Sequence, residues 1–114
     1  MRYSTILFLL LVFTGCQDND IAKGTPDCIM EIIKSIKKEG VRNPPAKVFK
    51  YTYEGKAVYY VPPYCCDATG DLWDDQCNLI CHPDGGISGG GDGRCPDILS
   101  KLLNRELVWE DDRK

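Results

Sequence analysis

The fold is decided by residues 48–61, which read VFKYTYEGKAVYYV. β-Branched and aromatic residues fill Val48–Tyr53 and Ala57–Val61, and Glu54-Gly55 lies between these two runs. Residues of these types favour strands, and a short connection that contains glycine favours an antiparallel turn. The stretch therefore predicts a β-hairpin.

A second hairpin is predicted downstream of the first. Pro62-Pro63 ends the preceding strand, because proline cannot donate to a strand ladder. Leu72-Trp73 and Leu79-Ile80 then form two short apolar runs around residues 74–78, which are mostly polar.

An N-terminal helix is predicted to begin at Thr25-Pro26-Asp27, with the Thr25 hydroxyl as its N-cap, and to end at Gly40. Between these limits isoleucines recur at spacings of three and four, which places them on one face: Ile29, Ile32, Ile33 and Ile36.

A C-terminal helix is predicted to restart at Cys95-Pro96-Asp97, and Leu107-Val108-Trp109 to form a final short strand. The apolar face of this helix would consist of Ile98, Leu99, Leu102 and Leu103. The predicted fold class is therefore α+β: a small disulfide-rich domain with an N-terminal helix packed on an antiparallel sheet of two hairpins, plus a short C-terminal helix.

The N-terminus has the layout of a secretory signal. Arg2 precedes the apolar run at residues 6–13, and Thr14-Gly15 lies directly before Cys16. The run is too short to cross a bilayer as a stable helix. Residues 13–16 resemble the lipobox of bacterial lipoproteins, although Phe13 stands where leucine is usual. The resemblance implies cleavage before Cys16 and acylation of that cysteine by chains such as palmitate; a plain secreted protein is the alternative.

Cysteine parity agrees with lipidation of Cys16, because six of the seven cysteines then remain and can pair completely. In an oxidising compartment they predict a disulfide framework whose connectivity the sequence leaves open. The six are Cys28, Cys65, Cys66, Cys77, Cys81 and Cys95. The favoured arrangement places four of them around one end of the sheet and leaves Cys28 and Cys95 as the distant pair.

The predicted organisation has three parts: a signal peptide at 1–15, a lipidated flexible tether at 16–24, and one disulfide-stabilised domain at 25–114. The tether is polar and acidic, without apolar periodicity. Loss of Arg2 moves the net charge from −3 to −4. A mildly acidic chain gives no electrostatic reason to bind nucleic acid.

The stretch from His82 to Arg94 is nearly all glycine and polar residues, so no regular element is expected there. We predict that it forms a candidate binding loop. The residues selected for contact are His82, Asp84, Ile87, Asp92 and Arg94. Calcium bound by Asp84, Asp92 and Asp97 is a less favoured alternative, because no EF-hand pattern is present. No phosphate-binding glycine motif is present either.

No catalytic residue, cofactor or metal site is predicted. His82 is the only histidine, and the sequence points to neither a nucleophile nor an orienting acid for it. The spacing of Cys77 and Cys81 beside the adjacent pair Cys65-Cys66 is not that of a zinc site or a Cys-x-x-Cys redox motif.

Several motifs together resemble an uncharacterised domain found in small bacterial lipoproteins. They are Tyr59-Tyr60-Val61, Cys65-Cys66-Asp67, Leu79-Ile80-Cys81, residues 83–87 and residues 91–97. The resemblance spans roughly residues 26 to 110 and implies no known activity.

The chain is therefore interpreted as a non-catalytic binding module that displays residues 82–94 from the outer membrane of a Gram-negative envelope. It would be held by membrane lipid through Cys16 on the periplasmic or the surface-exposed side, and its protein or small-ligand partner is open. An envelope enzyme or thiol-redox protein, and a protease or enzyme inhibitor, are the alternatives.

Overall fold

A computed structural model describes residues 20–65 and 67–113, and one helix and five strands lie within them. The elements are α1 (Asp27–Lys37), β1 (Lys47–Tyr53), β2 (Lys56–Val61), β3 (Asp71–Asp74), β4 (Leu79–Cys81), a 3-10 helix (Ile98–Lys101) and β5 (Leu103–Glu110). The strands form one antiparallel sheet in the order β4-β3-β2-β1-β5. No helix in this part of the chain is long and apolar enough to cross a bilayer.

The strands of the first hairpin are confirmed where the sequence placed them. Phe49 faces Tyr60 and Tyr53 faces Lys56 across the β1–β2 ladder. Glu54 and Gly55 both have positive φ, at 50° and 78°, as a tight turn between right-twisted strands requires. Local residue preferences and turn chemistry agree here, so the hairpin could be read from sequence.

The predicted fold class is wrong, because residues 96–113 form no α-helix and the sheet has a fifth strand in addition to the two hairpins. Residues Ile98–Lys101 form a single 3-10 turn, and Leu102 is extended with φ −75° and ψ 136°. The chain then enters β5, which pairs with β1 along most of its length. The apolar spacing at 98–103 imitates a helix, but the backbone groups on the open edge of β1 need partners, and β5 supplies them.

Apolar side chains cover both faces of the sheet. On one face, α1 and the sheet together form a first cluster. Its buried members are Ile21, Ile29, Ile33, Ile36, Val48, Tyr59, Val61, Val108 and Trp109. On the other face lies a second cluster, formed by Val58, Tyr60, Leu72, Cys81 and Ile98. Each fully buried isoleucine contributes about 1.5–3 kcal/mol. The 3-10 helix therefore has a packing role, because it supplies Ile98 to the second cluster.

The end of α1 is fixed by Arg113, which lies near the C-terminus. Its guanidinium donates to the carbonyl oxygens of Lys37 and Glu39 at 2.8 and 3.0 Å. The same group donates to the buried carboxylate of Asp111 at 2.7 Å. The hydrogen bonds from Arg113 hold the pKa of Asp111 below its ordinary value, although burial opposes this. Arg113 thus satisfies carbonyls that every helix leaves without partners at its last turn.

Residues 20–22 are packed on the domain, whereas the sequence predicted a flexible tether over 16–24. Ile21 is buried, and the Ala22 N–H donates to the carbonyl of Val108 at 2.9 Å. The Thr25 hydroxyl donates to the Ala22 carbonyl at 2.6 Å and does not cap α1, whose N-cap is Pro26. The predicted signal peptide at 1–15, Cys16 and the predicted tether as far as residue 19 lie outside the described residues.

Two disulfides join the elements, and the favoured Cys28–Cys95 pairing is wrong. Cys28 in the first turn of α1 is bonded to Cys77 in the β3–β4 turn, and Cys81 is bonded to Cys95. The second bond closes a sequence separation of 14, and a loop of this length is worth about 3 kcal/mol in the chain-entropy account. Cys65 is exposed, and Cys66 lies outside the described residues, so the third bridge stays a prediction.

The packing of residue 20 can be tested by Asp20→Ala. The Asp20 carboxylate accepts the indole N–H of Trp109 at 2.9 Å, and Trp109 is only 1% exposed. Removing the acceptor leaves a buried donor without a partner, which costs about 1–3 kcal/mol. We expect that loss in the free energy of unfolding measured by urea titration. Asp67→Ala, at an exposed carboxylate, is the control, and equal stability of the two variants would contradict the packing.

Candidate binding loop

The loop at residues 82–94 is closed at its base by a covalent bond. It leaves the sheet directly after Cys81 at the end of β4 and returns to Cys95, to which Cys81 is bonded. Cys81 is fully buried in the second cluster. The loop therefore begins and ends at one point on the edge of the sheet.

The loop contains no helix or strand, as the sequence predicted. Its backbone instead forms its own hydrogen-bond network. Gly85 N–H donates to Gly89 O at 3.1 Å, Gly91 N–H to Gly85 O at 3.0 Å, and Asp92 N–H to His82 O at 2.9 Å. Two further bonds reach the segment before β3, from Gly86 N–H to Ala68 O and from Gly70 N–H to Asp84 O. The glycine-rich composition thus encodes a folded loop.

Two glycines are required by close approach as well as by backbone conformation. Gly91 has φ +69°, and a Cβ there would lie 2.0 Å from the carbonyl oxygen of His82. Gly85 has φ +75°, and its Cβ would lie 2.5 Å from the carbonyl oxygen of Ala68. An L side chain at either position would break the network, because backbone atoms cannot move aside.

Asp92 holds the two ends of the loop together. Its carboxylate accepts the backbone N–H of His82 at 3.1 Å and that of Arg94 at 3.0 Å. Together these bonds, with that from Arg94 the stronger, lower the pKa of Asp92. The carboxylate therefore stays ionised and acts as a structural acceptor.

Asp84 anchors the loop to β2. The hydroxyl of Tyr60 donates to Oδ2 of Asp84. Burial and this contact raise the pKa of Tyr60, which therefore remains a donor throughout the physiological range. Oδ1 of Asp84 is buried, and no group in the described ranges hydrogen-bonds to it. A Cβ at Gly70 would lie 2.1 Å from Oδ1, so the anchor requires glycine at that position.

His82 is paired with an acid that sequence reasoning did not identify. Its Nδ1 lies 2.7 Å from Oδ1 of Asp71 and 3.1 Å from the carbonyl oxygen of Gly70. Partial burial opposes the charged imidazole, but the hydrogen bonds to Asp71 and Gly70 and the nearby charge of Asp92 outweigh it and raise the pKa of His82. No hydroxyl or thiol of residues 20–65 and 67–113 is hydrogen-bonded to the ring, so a nucleophile and base are not assembled there.

The three carboxylates of the calcium alternative have separate surroundings. Asp84 contacts Tyr60, and Asp92 accepts backbone amides of the loop. Asp97 lies beyond the disulfide at the start of the 3-10 helix, where its carbonyl oxygen accepts the Ser100 hydroxyl. In the part of the chain that the structure describes, no group of three or more His, Cys, Asp or Glu side chains could hold a metal ion.

The tip of the loop presents Ile87, whose exposure of 93% is the highest among the large hydrophobic residues described. Gly89 N–H donates to Gly86 O at 3.2 Å, which closes a turn with Ile87 and Ser88 at its centre. Arg94 and Asp92 are also exposed, whereas His82 and Asp84 are partly buried. Of the five residues selected from sequence, Ile87 and Arg94 are therefore free for contact, and the other three shape the loop.

Sequence reasoning missed three residues that hold the loop in place: Tyr60, Gly70 and Asp71. They lie between 11 and 24 positions from their partners in the loop. Gly70 and Asp71 come beside the loop only through the pairing of β3 with β2 and β4, a register that no local sequence signal specifies.

The His82–Asp71 pair predicts a pH dependence of stability. Since the pKa of His82 is raised on folding, its contribution is complete below the ordinary histidine pKa of about 6.5 and is lost as the pH rises through the folded value. We expect urea titrations at about pH 5.5 and pH 8.5 to show this loss, and His82→Gln to remove this pH dependence. Asp71→Asn should lower the pKa of His82 in an NMR titration; a wild-type pKa below the ordinary value would contradict the pairing.

Comparison with known proteins identifies the domain without assigning it an activity. No curated protein and no solved structure matches the chain. A family model described as a domain of unknown function (DUF6970) matches residues 34–111, a segment that runs from within α1 to the residue after β5 and includes the whole loop. The protein therefore belongs to the DUF6970 family.

Proposed function

We propose that this protein is a lipid-anchored envelope protein that binds a partner through the tip of the 82–94 loop and does not act as an enzyme. The observation that carries the proposal is the exposure of Ile87 on a turn whose backbone is held in place. Burial of this side chain against a partner would contribute about 1.5–3 kcal/mol to binding. Because the loop is already ordered by its network and the disulfide, binding pays little conformational entropy.

The sheet order supports display of this loop away from a lipid anchor. Residues 20–22 lie beside β5 at one edge of the sheet, and the loop leaves from β4 at the other edge. Five strands at normal spacing separate these edges by about 19 Å. Cys16 precedes Asp20 by four residues, which span about 14 Å at most. A lipid on Cys16 would thus hold the β5 edge near the bilayer and leave the loop facing away from it.

The lipid anchor is tested by Cys16→Ser in the full-length chain. We expect wild-type protein to incorporate labelled palmitate and to sediment with the outer membrane, and the variant to lose both properties. A wild-type chain that is released in soluble form without label would contradict the anchor and favour plain secretion. Surface proteolysis of intact cells would then assign the periplasmic or the surface-exposed side.

Binding through the loop is tested by comparing Ile87→Ser with Leu103→Ser. Leu103 is 62% exposed on β5, so its replacement makes the same kind of surface change at the opposite edge of the sheet. We expect an envelope partner captured by wild type to bind Ile87→Ser about tenfold or more weakly, as for the loss of an interface anchor. A partner that binds both variants equally would overturn the role of the loop.

A protease or enzyme inhibitor is a special case of the same binding mode. The central Gly86–Gly89 turn argues for a different kind of contact, because a chain that adds to a protease cleft as a strand must be extended. If the captured partner is an envelope peptidase, loss of its activity on binding wild type but not Ile87→Ser would establish inhibition.

The enzyme alternative rests on the His82–Asp71 pair, and the redox alternative on the cysteines. The pair supplies an oriented imidazole but no activated nucleophile among the described residues. The four cysteines Cys28, Cys77, Cys81 and Cys95 are joined in two bonds that link distant elements. This arrangement favours a structural role over thiol exchange.

A further inference from the structure

A second candidate site lies beside the last turn of α1 and is distinct from the tip of the 82–94 loop. It is a pocket of about 190 Å³ between residues 42–47, which lead into β1, and residues 61–64, which follow β2. No residue of the loop lines it. The observations that describe it are therefore independent of those that support the loop.

The pocket walls are apolar and conformationally restricted. Four prolines line it, together with the side chains of Ile36 and Phe49: Pro44, Pro45, Pro62 and Pro63. Proline fixes its own φ and restricts the preceding residue, so the two wall segments have little freedom to collapse into the space. A preformed apolar pocket of this kind retains its volume in the absence of a ligand.

One cationic side chain of the pocket has an unused donor. The Arg42 guanidinium lies over the ring of Tyr64, 4.3 Å from the ring centroid, and Nη2 donates to Glu39 at 3.0 Å. The Arg42 side chain is only 16% exposed. Its Nε is buried and has no hydrogen-bond partner within residues 20–65 and 67–113.

A second cation reinforces the preference for an anion. Lys47 also lines the pocket, and its ammonium is 3.7 Å from Glu110 with 45% of the side chain exposed. A pair this exposed is weak, so Lys47 can reorient toward a ligand at small cost. The pocket thus combines apolar walls with two positively charged side chains.

We propose that this pocket binds a small apolar carboxylate, with the carboxylate on Arg42 and the hydrocarbon group against the prolines and Phe49. The volume agrees with this class, because an engineered cavity of about 150 Å³ holds benzene in another protein. A carboxylate forms strong charge-assisted hydrogen bonds with guanidinium donors. Inorganic anions satisfy Arg42 alone and leave the apolar walls uncovered.

The native full-length chain provides the first test, through titration with phenylacetate, phenylacetamide and inorganic phosphate followed by ¹H–¹⁵N NMR. We expect saturable shifts with phenylacetate at Arg42, Phe49 and Tyr64, and binding about tenfold or more weaker for the neutral amide. Phosphate should give no saturable shifts at Phe49. Equal binding of acid and amide, or no saturable binding of phenylacetate, would overturn the proposal.

Variants then test Arg42 directly. Arg42→Gln should weaken phenylacetate binding about tenfold or more, and Lys101→Gln, at an exposed lysine outside the pocket, should leave it unchanged. If Arg42→Gln does not fold, Arg42→Lys keeps the charge but lacks Nε and the planar fork, and should still bind more weakly than wild type. Full affinity in folded Arg42→Lys and Arg42→Gln would assign the carboxylate elsewhere and overturn the site.

Discussion

The pairing of β5 with β1 is the interaction on which the rest of the structure depends. Val48 lies opposite Trp109 and Phe49 opposite Leu107, so Val108 is an extra residue at this point of the ladder. The irregularity places the side chains of Val108 and Trp109 together in the first cluster, where both are buried. A bulge of this kind places two consecutive side chains on the core side, which a regular strand cannot do.

Three other features follow from the position of Trp109. Its indole N–H fixes Asp20, and Asp20 pairs with Lys37 in the last turn of α1 at 3.1 Å. The chain beyond β5 then carries Asp111 and Arg113 to the same helix end. This strand, of which only residues 107–109 were predicted from sequence, therefore organises both ends of the folded chain around α1.

The features that could be predicted from sequence depend on residues a few positions apart, whereas those that could not depend on residues far apart along the chain. The β1–β2 hairpin and α1 were predicted because their turn residues and apolar spacings lie within a few positions. Residues 98–103 carry a helical spacing too, but the open edge of β1 lies some fifty positions away and decides the outcome. The same limit explains the wrong Cys28–Cys95 pairing and the unrecognised Asp71 beside His82, since both depend on sheet register.

The hydrogen bonds that the acidic residues of the loop already make within the fold decide whether these residues have capacity left for a ligand. Asp84 and Asp92 have the chemistry of calcium ligands, but one accepts a tyrosine hydroxyl and the other two backbone amides. Each such bond removes acceptor capacity that a metal would need, and each makes the loop more rigid. In contrast, Ile87 and the Nε of Arg42 have no internal partner among the described residues. Interactions are also incomplete at the buried Oδ1 of Asp84 and Nε1 of Trp73. Of these groups, Ile87 lies at the exposed tip of the loop and Arg42 lines the proline-lined pocket, and binding is argued from these two positions.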